Sequence, residues 1–61
     1  MVKYNVIVFF PGHYRSPLKF RNVRKPDKLL DWVFRNFGEW YYANFYISSN
    51  REYSHRVYFI I

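Results

Sequence analysis

The stretch Pro26-Asp-Lys-Leu-Leu-Asp-Trp-Val-Phe-Arg-Asn-Phe37 decides the fold of this 61-residue chain, because it is the one segment with a helical pattern. Pro26 suits the first turn of a helix, and Gly38 lies where a left-handed residue often ends one. We therefore predict a helix over residues 26–37. Its apolar side chains recur at spacings of three and four residues, which predicts one buried stripe with two aromatic margins: Leu29, Leu30, Val33 and Phe37, flanked by Trp32 and Phe34.

The composition predicts a single small domain, residues 1–61, with an aromatic core and a basic surface. Aromatic residues make up 26% of the chain, and each can bury roughly 150–250 Å². The absence of cysteine excludes disulfides and thiolate metal sites, and it fits a reducing compartment. The net charge of +6 suggests an acidic partner.

The N-terminal segment lacks the features of a signal peptide. It has no basic leader and no small-residue cleavage site, and its apolar run contains Asn5. The longest uncharged runs have about the length of a strand, far short of the roughly 20 residues that a membrane span needs. We expect a complete, soluble, cytoplasmic protein with no membrane partner.

Four segments have the composition of β-strands, two before the helix and two after it. The first covers residues 2–10 and is apolar on both faces. The second covers residues 15–21, where Pro17 cannot donate to a ladder and so indicates a sheet edge. The third, residues 40–48, is aromatic and uncharged, and the fourth, residues 53–61, ends in an apolar run.

This order of elements predicts an α+β fold of the form ββαββ. The first and last strands are the most apolar, so we expect them to pair in parallel at the centre of a four-stranded mixed sheet. The predicted strand order is 2-1-4-3, with the helix across one face. The layout resembles the β-grasp arrangement, and in element order and length it is similar to the small immunoglobulin-binding domains of streptococcal surface proteins. The resemblance implies architecture alone, since no motif is shared.

Six of the ten cations fall within residues 15–28, which predicts a basic edge: Arg15, Lys19, Arg21, Arg24, Lys25 and Lys28. Alternation from Arg15 to Arg21 predicts a row on one face of an edge strand, able to follow a phosphate backbone. Arg24 and Lys25 lie beside the helix N-terminus, whose free N–H groups favour anions. The same cations could instead serve only to prevent edge-to-edge pairing with other chains.

One helix covers one face of such a sheet, so the other face should be open and should carry aromatic rings. If Val57, Phe59 and Ile61 turn inward, the outward residues are Trp40, Tyr42, Tyr46, Arg56 and Tyr58. That assignment needs a turn of three or five residues near residues 49–51, because a two-residue turn reverses the pairing parity. The opposite assignment would also leave rings on the open face.

Three interpretations of these rings stay open. Tyrosine beside arginine can stack single-stranded bases, at about 1–3 kcal/mol per base. Tyrosine is also a favoured strand residue, and cross-strand tyrosine pairs stabilise small sheets. Alternatively, a partner protein covers the face, or a second copy of the chain does so in a homodimer.

The sequence contains no signature of catalysis or of metal binding. His13 and His55 are the only histidines, and the four acids are dispersed at Asp27, Asp31, Glu39 and Glu52. No glycine-rich phosphate loop or cluster of metal ligands is present. We therefore predict a protein with no catalytic residue, metal or cofactor.

These patterns together predict a small, basic, non-enzymatic protein that binds single-stranded or duplex nucleic acid. The predicted contacts come from the basic strand-loop-helix edge and from the aromatic face: Arg15, Lys19, Arg21, Arg24, Lys25, Lys28, Tyr42, Tyr46, Arg56 and Tyr58. The alternative is a protein-interaction module, such as a phage-type inhibitor of a host protein. It would bind an acidic protein through the open face or through an edge strand.

Overall fold

The computed structural model describes residues 2–12 and 15–59, and this part of the chain forms four strands and one helix. The elements in chain order are β1 (Tyr4–Phe9), β2 (Leu18–Val23), α1 (Pro26–Phe37), β3 (Tyr42–Ile47) and β4 (Tyr53–Tyr58). The predicted α+β class and the ββαββ order are confirmed. The predictions that concern His13, Ile60 and Ile61 fall outside the described residues.

Helix α1 has the predicted bounds, and its apolar stripe faces the sheet. Val33 is fully buried, and Leu29, Leu30 and Phe37 pack against the core around it. The two marginal aromatics, Trp32 and Phe34, remain about half exposed. Among the described residues, no helix is long and apolar enough to cross a membrane.

Gly38 ends the helix in a conformation that only glycine adopts readily. Its backbone N–H donates to the Phe34 carbonyl oxygen at 2.9 Å. Its φ of 86° and ψ of −157° lie outside the left-handed helical region that we predicted, in a region that is essentially limited to glycine. The glycine is therefore required, although for a different backbone conformation.

Replacing Gly38 with alanine is expected to lower the free energy of unfolding by about 1–3 kcal/mol. Apart from its two chain neighbours, a Cβ atom at this position would meet no described atom within 4 Å, so the expected cost is backbone strain. Equilibrium urea denaturation measures it. D-alanine, introduced by chemical synthesis, is the matched control, because it adds the same methyl group but favours positive φ. An equal loss in both variants would contradict this explanation.

The strand order is β2-β1-β3-β4, and every neighbouring pair is antiparallel. The predicted order 2-1-4-3 is therefore wrong, and so are the predicted parallel central pair and the mixed sheet. The β-grasp resemblance fails with them, since it rested on a parallel pairing of the first and last strands. Strands β1 and β3 occupy the centre instead, and β4 is an edge strand.

The polarity of the two C-terminal strands explains this order. Strand β3 carries no charged side chain, and its middle residues Ala43, Asn44 and Phe45 are buried. In β4, five of six residues are exposed, including Arg56. A central strand loses water along both edges, so the uncharged strand takes that place and the strand with the cation stays at the edge. The apolar run that suggested a central β4 begins only at Val57, near the end of the strand.

The core lies between α1 and the inner face of the sheet, and its buried apolar members are Val6, Val8, Phe10, Val33, Trp40, Ala43 and Phe45. We predicted Trp40 on the open face, but its side chain is 6% exposed and its ring centroid lies 5.2 Å from that of Phe59. Trp40 precedes β3, so strand alternation does not govern its direction. This prediction is therefore corrected.

Strand β2 is the other edge of the sheet, as Pro17 indicated. Pro17 lies immediately before the strand, which begins at Leu18. The pairing with β1 is interrupted by a bulge, because Val6 faces Phe20 whereas Tyr4 faces Val23. The extra residue falls at Arg21–Asn22, and it becomes important for the site below.

Candidate nucleic-acid interface

The face of the sheet opposite α1 is open, and it combines aromatic and cationic side chains. We define this open face by strand alternation and pairing as Asn5, Ile7, Phe9, Lys19, Arg21, Tyr42, Asn44, Tyr46, Tyr53, Arg56 and Tyr58. Tyr42, Tyr46, Arg56 and Tyr58 lie here as the sequence predicted. None of the three tyrosines is buried: Tyr42 and Tyr46 are half-buried, and Tyr58 is exposed.

These residues share one face because, beyond a bulge, the two members of each facing pair of β3 and β4 are separated along the chain by an odd number of residues. Tyr42 faces Tyr58, and Asn44 faces Arg56. The turn closes with the Ile47 N–H donating to the Glu52 carbonyl oxygen, which leaves four residues between that pair. The bulge next to Tyr53 then shifts the register by one residue, so that the number of residues between facing partners becomes odd. The predicted parity is thus reached by a four-residue turn plus a bulge.

Arg56 is held in place by three neighbours on the open face. Its Nε donates to Asn44 Oδ1 at 2.7 Å, and its guanidinium carbon lies 4.3 Å from the ring centroid of Tyr42. A hydrogen bond from Nη1 to the Tyr58 hydroxyl, at 3.4 Å, raises the pKa of Arg56 above its ordinary value. This arrangement presents a fixed, permanently charged guanidinium plane on the β3–β4 side of the face.

The rings of the open face differ in how much of their surface is available. Tyr42 lies between Phe9, whose ring stacks on it at 4.7 Å, and Arg56. Tyr53 and Tyr58 are 55% and 51% exposed, and Tyr53 meets Tyr46 edge-on at 5.7 Å. Tyr42 therefore supports its neighbours, whereas Tyr53 and Tyr58 can accept a flat group from solvent.

The charges on the open face all have one sign. Lys19, Arg21 and Arg56 belong to it, and Arg51 in the β3–β4 turn lines a concavity together with Lys19 and Arg21. None of the four acids belongs to the open face or lines that concavity: two lie on α1, one follows the helix, and Glu52 lies in the β3–β4 turn next to Arg51. Within residues 2–12 and 15–59, the single side-chain ion pair joins Asp31 to Arg35 on α1. The open face is thus cationic, and no acidic side chain on it neutralises these cations.

The other predicted cations do not join this face. Arg15 precedes β2, and its guanidinium carbon lies over the rings of Phe10 and Phe37, at 5.5 and 4.9 Å. The predicted row on β2 is therefore shorter and consists of Lys19 and Arg21. Arg24, Lys25 and Lys28 are exposed on the β2–α1 connection and the first turns of α1. Lys25 is the N-cap residue, and its side chain makes no capping bond.

Sequence reasoning missed several residues of this surface. Phe9 and Asn44 belong to it through the register between β1, β3 and β4, which local patterns do not reveal. Asn44 did carry a signal, since it is the one amide in an otherwise apolar and aromatic strand. Arg51 gave no signal beyond its charge, because its place beside Arg21 depends on how the turn folds back.

The described residues contain no group of three or more histidine or acidic side chains that could hold a metal ion. His55 lies apart from the open face, with its ring stacked on Phe45 at 4.6 Å. No family model, no curated protein and no solved structure matches this chain. The molecule is therefore described by its own geometry, as a small α+β protein with a basic, aromatic open sheet face.

Proposed function

We propose that this protein binds single-stranded nucleic acid through its open face, without catalysing a reaction. The observation that supports the proposal is the coincidence of exposed rings and cations on one surface that carries no acid. Bases need flat partners, and phosphates need positive charge near the same strand. Proteins that bind single strands without base-specific readout combine these two elements.

The bases would stack on the rings that remain available. Tyr58 and the edge-on pair Tyr46–Tyr53 offer such surfaces at two points along β3 and β4. The plane of Arg56 lies between them and can itself stack on a base. Tyr42 has its ring occupied by Phe9 and Arg56, so its role would be to support the arginine.

The phosphates would follow the cations at the β2 side of the face. Lys19 and Arg21 project from the strand, and Arg51 approaches them from the β3–β4 turn. A duplex keeps its bases stacked inside, so it could use only these charges and not the rings. The proposal therefore favours a single strand over a duplex of the same length.

A titration with a labelled single strand and a labelled duplex, at two salt concentrations, tests the proposal. We expect tighter binding of the single strand, with a logarithmic salt slope of roughly 0.7 per phosphate contact. Absence of binding to either form at low salt, where the attraction is strongest, would remove nucleic acid as the partner.

Replacing Tyr58 with alanine is expected to weaken single-strand binding by about 1–3 kcal/mol, since one stacking surface is lost. Fluorescence anisotropy at fixed salt measures the change. Phe34→Ala is the control, because Phe34 is a similarly exposed ring on α1, away from the open face. If the Tyr58 variant and the unmodified protein bind the single strand with equal affinity, the proposed stacking of bases on Tyr58 is wrong.

The second candidate is a protein-interaction module, for which the exposed edge strand β4 is the specific support. Five of its six residues are exposed, and among residues 2–12 and 15–59 no strand pairs with its outer backbone edge. A strand of an acidic partner, such as the host target of a phage-type inhibitor, could extend the sheet there. The same edge, or the open face, could join two copies of this chain, and sedimentation at rising concentration would then show a dimer.

A further inference from the structure

Two unusual backbone conformations occur at one place beside the open face. Asn22 and Arg51 have φ values of 56° and 63°, and they are the two non-glycine residues with positive φ in the described part of the chain. Both line the same concavity, of about 310 Å³, which we call the Arg51 notch; its other lining residues are Asn5, Arg21 and Ser48. Asparagine tolerates this region, whereas arginine adopts it only with strain, and strained residues often collect at binding sites.

A small polar network connects the two sides of the notch. The Asn22 N–H donates to Asn5 Oδ1 at 3.2 Å, and the Ser48 hydroxyl donates to Asn22 Oδ1. The Ser48 N–H donates to the Lys3 carbonyl oxygen at 2.9 Å. These bonds fix the β1–β2 bulge against the start of the β3–β4 turn, so the walls of the notch are held by the sheet.

The turn itself would fold with less strain if residue 51 were glycine or asparagine. Arginine in the left-handed region suffers a clash of its Cβ atom with the backbone, at about 1–2 kcal/mol. The Arg51 N–H donates to the Ile47 carbonyl oxygen at 2.7 Å, and Asn50 Oδ1 accepts the Glu52 N–H. The turn therefore has the bonds it needs from its backbone and from Asn50, and they do not require an arginine side chain.

The charge at the notch is positive and concentrated. Arg21 and Arg51 both line it, and Lys19 joins these two arginines in the adjoining concavity, of about 260 Å³. In the part of the chain that the structure describes, no acidic side chain lines either concavity. Arginine forks match the oxygen atoms of a phosphate, and amide or hydroxyl groups can bind the remaining oxygen atoms.

We propose that the Arg51 notch is a binding site for one phosphate group, held by Arg21 and Arg51, with the side-chain NH2 of Asn22, whose oxygen accepts the Ser48 hydroxyl, as a further donor. This inference deepens the proposed function and rests on it for its biological meaning. The phosphate would be either an internal phosphodiester of a bound strand or a terminal phosphate monoester. Arg51 would then lower the stability of the fold and increase the affinity of the notch for phosphate.

The test is an NMR titration of the intact protein with dimethyl phosphate and, separately, with methyl phosphate. Arg51→Asn and Arg51→Gly remove the charge and relieve the strain, whereas Arg51→Lys keeps the charge and the strain. We expect about tenfold weaker phosphate binding for the first two variants and a smaller loss for lysine. The thermal midpoint should rise by a few degrees in Arg51→Gly and should not rise in Arg51→Lys.

Arg35→Gln is the matched control, because it removes the same unit of charge from an exposed position on α1. Binding of the diester would identify an internal phosphate as the ligand, and binding of the monoester alone would identify a terminal phosphate. Equal weakening by Arg51→Asn and Arg35→Gln would overturn the inference, since general charge would then explain the binding. So would phosphate-induced shifts spread evenly over all arginines.

The inference and the proposed function can fail separately. Local phosphate binding with no affinity for any oligonucleotide would retain the notch and reject the nucleic-acid function. Oligonucleotide binding that Arg51→Asn leaves unchanged, without local phosphate shifts, would retain the function and reject the notch.

Discussion

Replacing Phe45 with alanine is expected to remove about a third or more of the free energy of unfolding. Phe45 is 2% exposed at the centre of β3, and its ring contacts that of Tyr4 edge-on at 5.5 Å. Removing a buried phenyl ring costs about 3–5 kcal/mol, because the lost burial is joined by a cavity. At typical values per residue, a chain of 61 residues has a total stability of about 3–9 kcal/mol.

Circular dichroism during urea titration measures this loss directly. The matched control is Phe34→Ala, which removes the same ring from α1, where the side chain is 44% exposed and stacks on Phe59 at 5.4 Å. We expect a loss of about 1 kcal/mol there, since part of that ring remains in water in the folded state. Equal losses at the two positions would mean that Phe45 is not part of the core.

Neutralising Lys19, Arg21 and Arg51 with glutamine should weaken single-strand binding on the order of 100-fold, at about 1 kcal/mol per contact or more. The logarithmic salt slope should fall by about 2, at roughly 0.7 for each lost phosphate contact. The reduction should be similar for every sequence tested, because phosphate contacts carry no base information. Binding isotherms at several salt concentrations provide both quantities.

The chain offers a control set with the same change in charge. Arg24, Lys25 and Lys28 are exposed on the β2–α1 connection and on α1, away from the open face. Their replacement by glutamine should have a clearly smaller effect if the open face is the binding surface. A larger effect in this second set would indicate that nucleic acid binds at the strand-loop-helix edge instead. Each substitution in either set is exposed and should change stability by under about 0.5 kcal/mol, since glutamine at residue 51 keeps the same backbone strain as arginine.

A protein-partner function would produce a different pattern in the same experiments. Neither set of substitutions would then change the affinity for nucleic acid, because the unmodified protein would not bind it. The exposed edge of β4 and the rings beside it would remain as the contact surface. A strand-adding partner would protect the outward backbone amides of β4 from hydrogen exchange, whereas a strand bound on the face would perturb the Tyr58 ring first.

The sequence by itself determined the elements whose signals are local. The helix over residues 26–37 follows from the spacing of its apolar residues and from the residues at its ends, which act within one or two turns. The edge position of β2 follows from Pro17, since the missing N–H is a property of one residue. The placement of Tyr42 and Tyr58 on one face follows from alternation once an odd parity is assumed.

Only the tertiary structure decided which strands are neighbours. The apolar run that begins at Val57 suggested a central β4, but pairing brought Asn44 opposite Arg56 and left that strand at the edge. Trp40 entered the core because it precedes β3, and Arg51 reached Arg21 because the turn folds back over a bulge. The physical reason is that strand pairing and register depend on burial and solvation over the whole sheet. Helix spacing and turn chemistry depend on near neighbours in the chain.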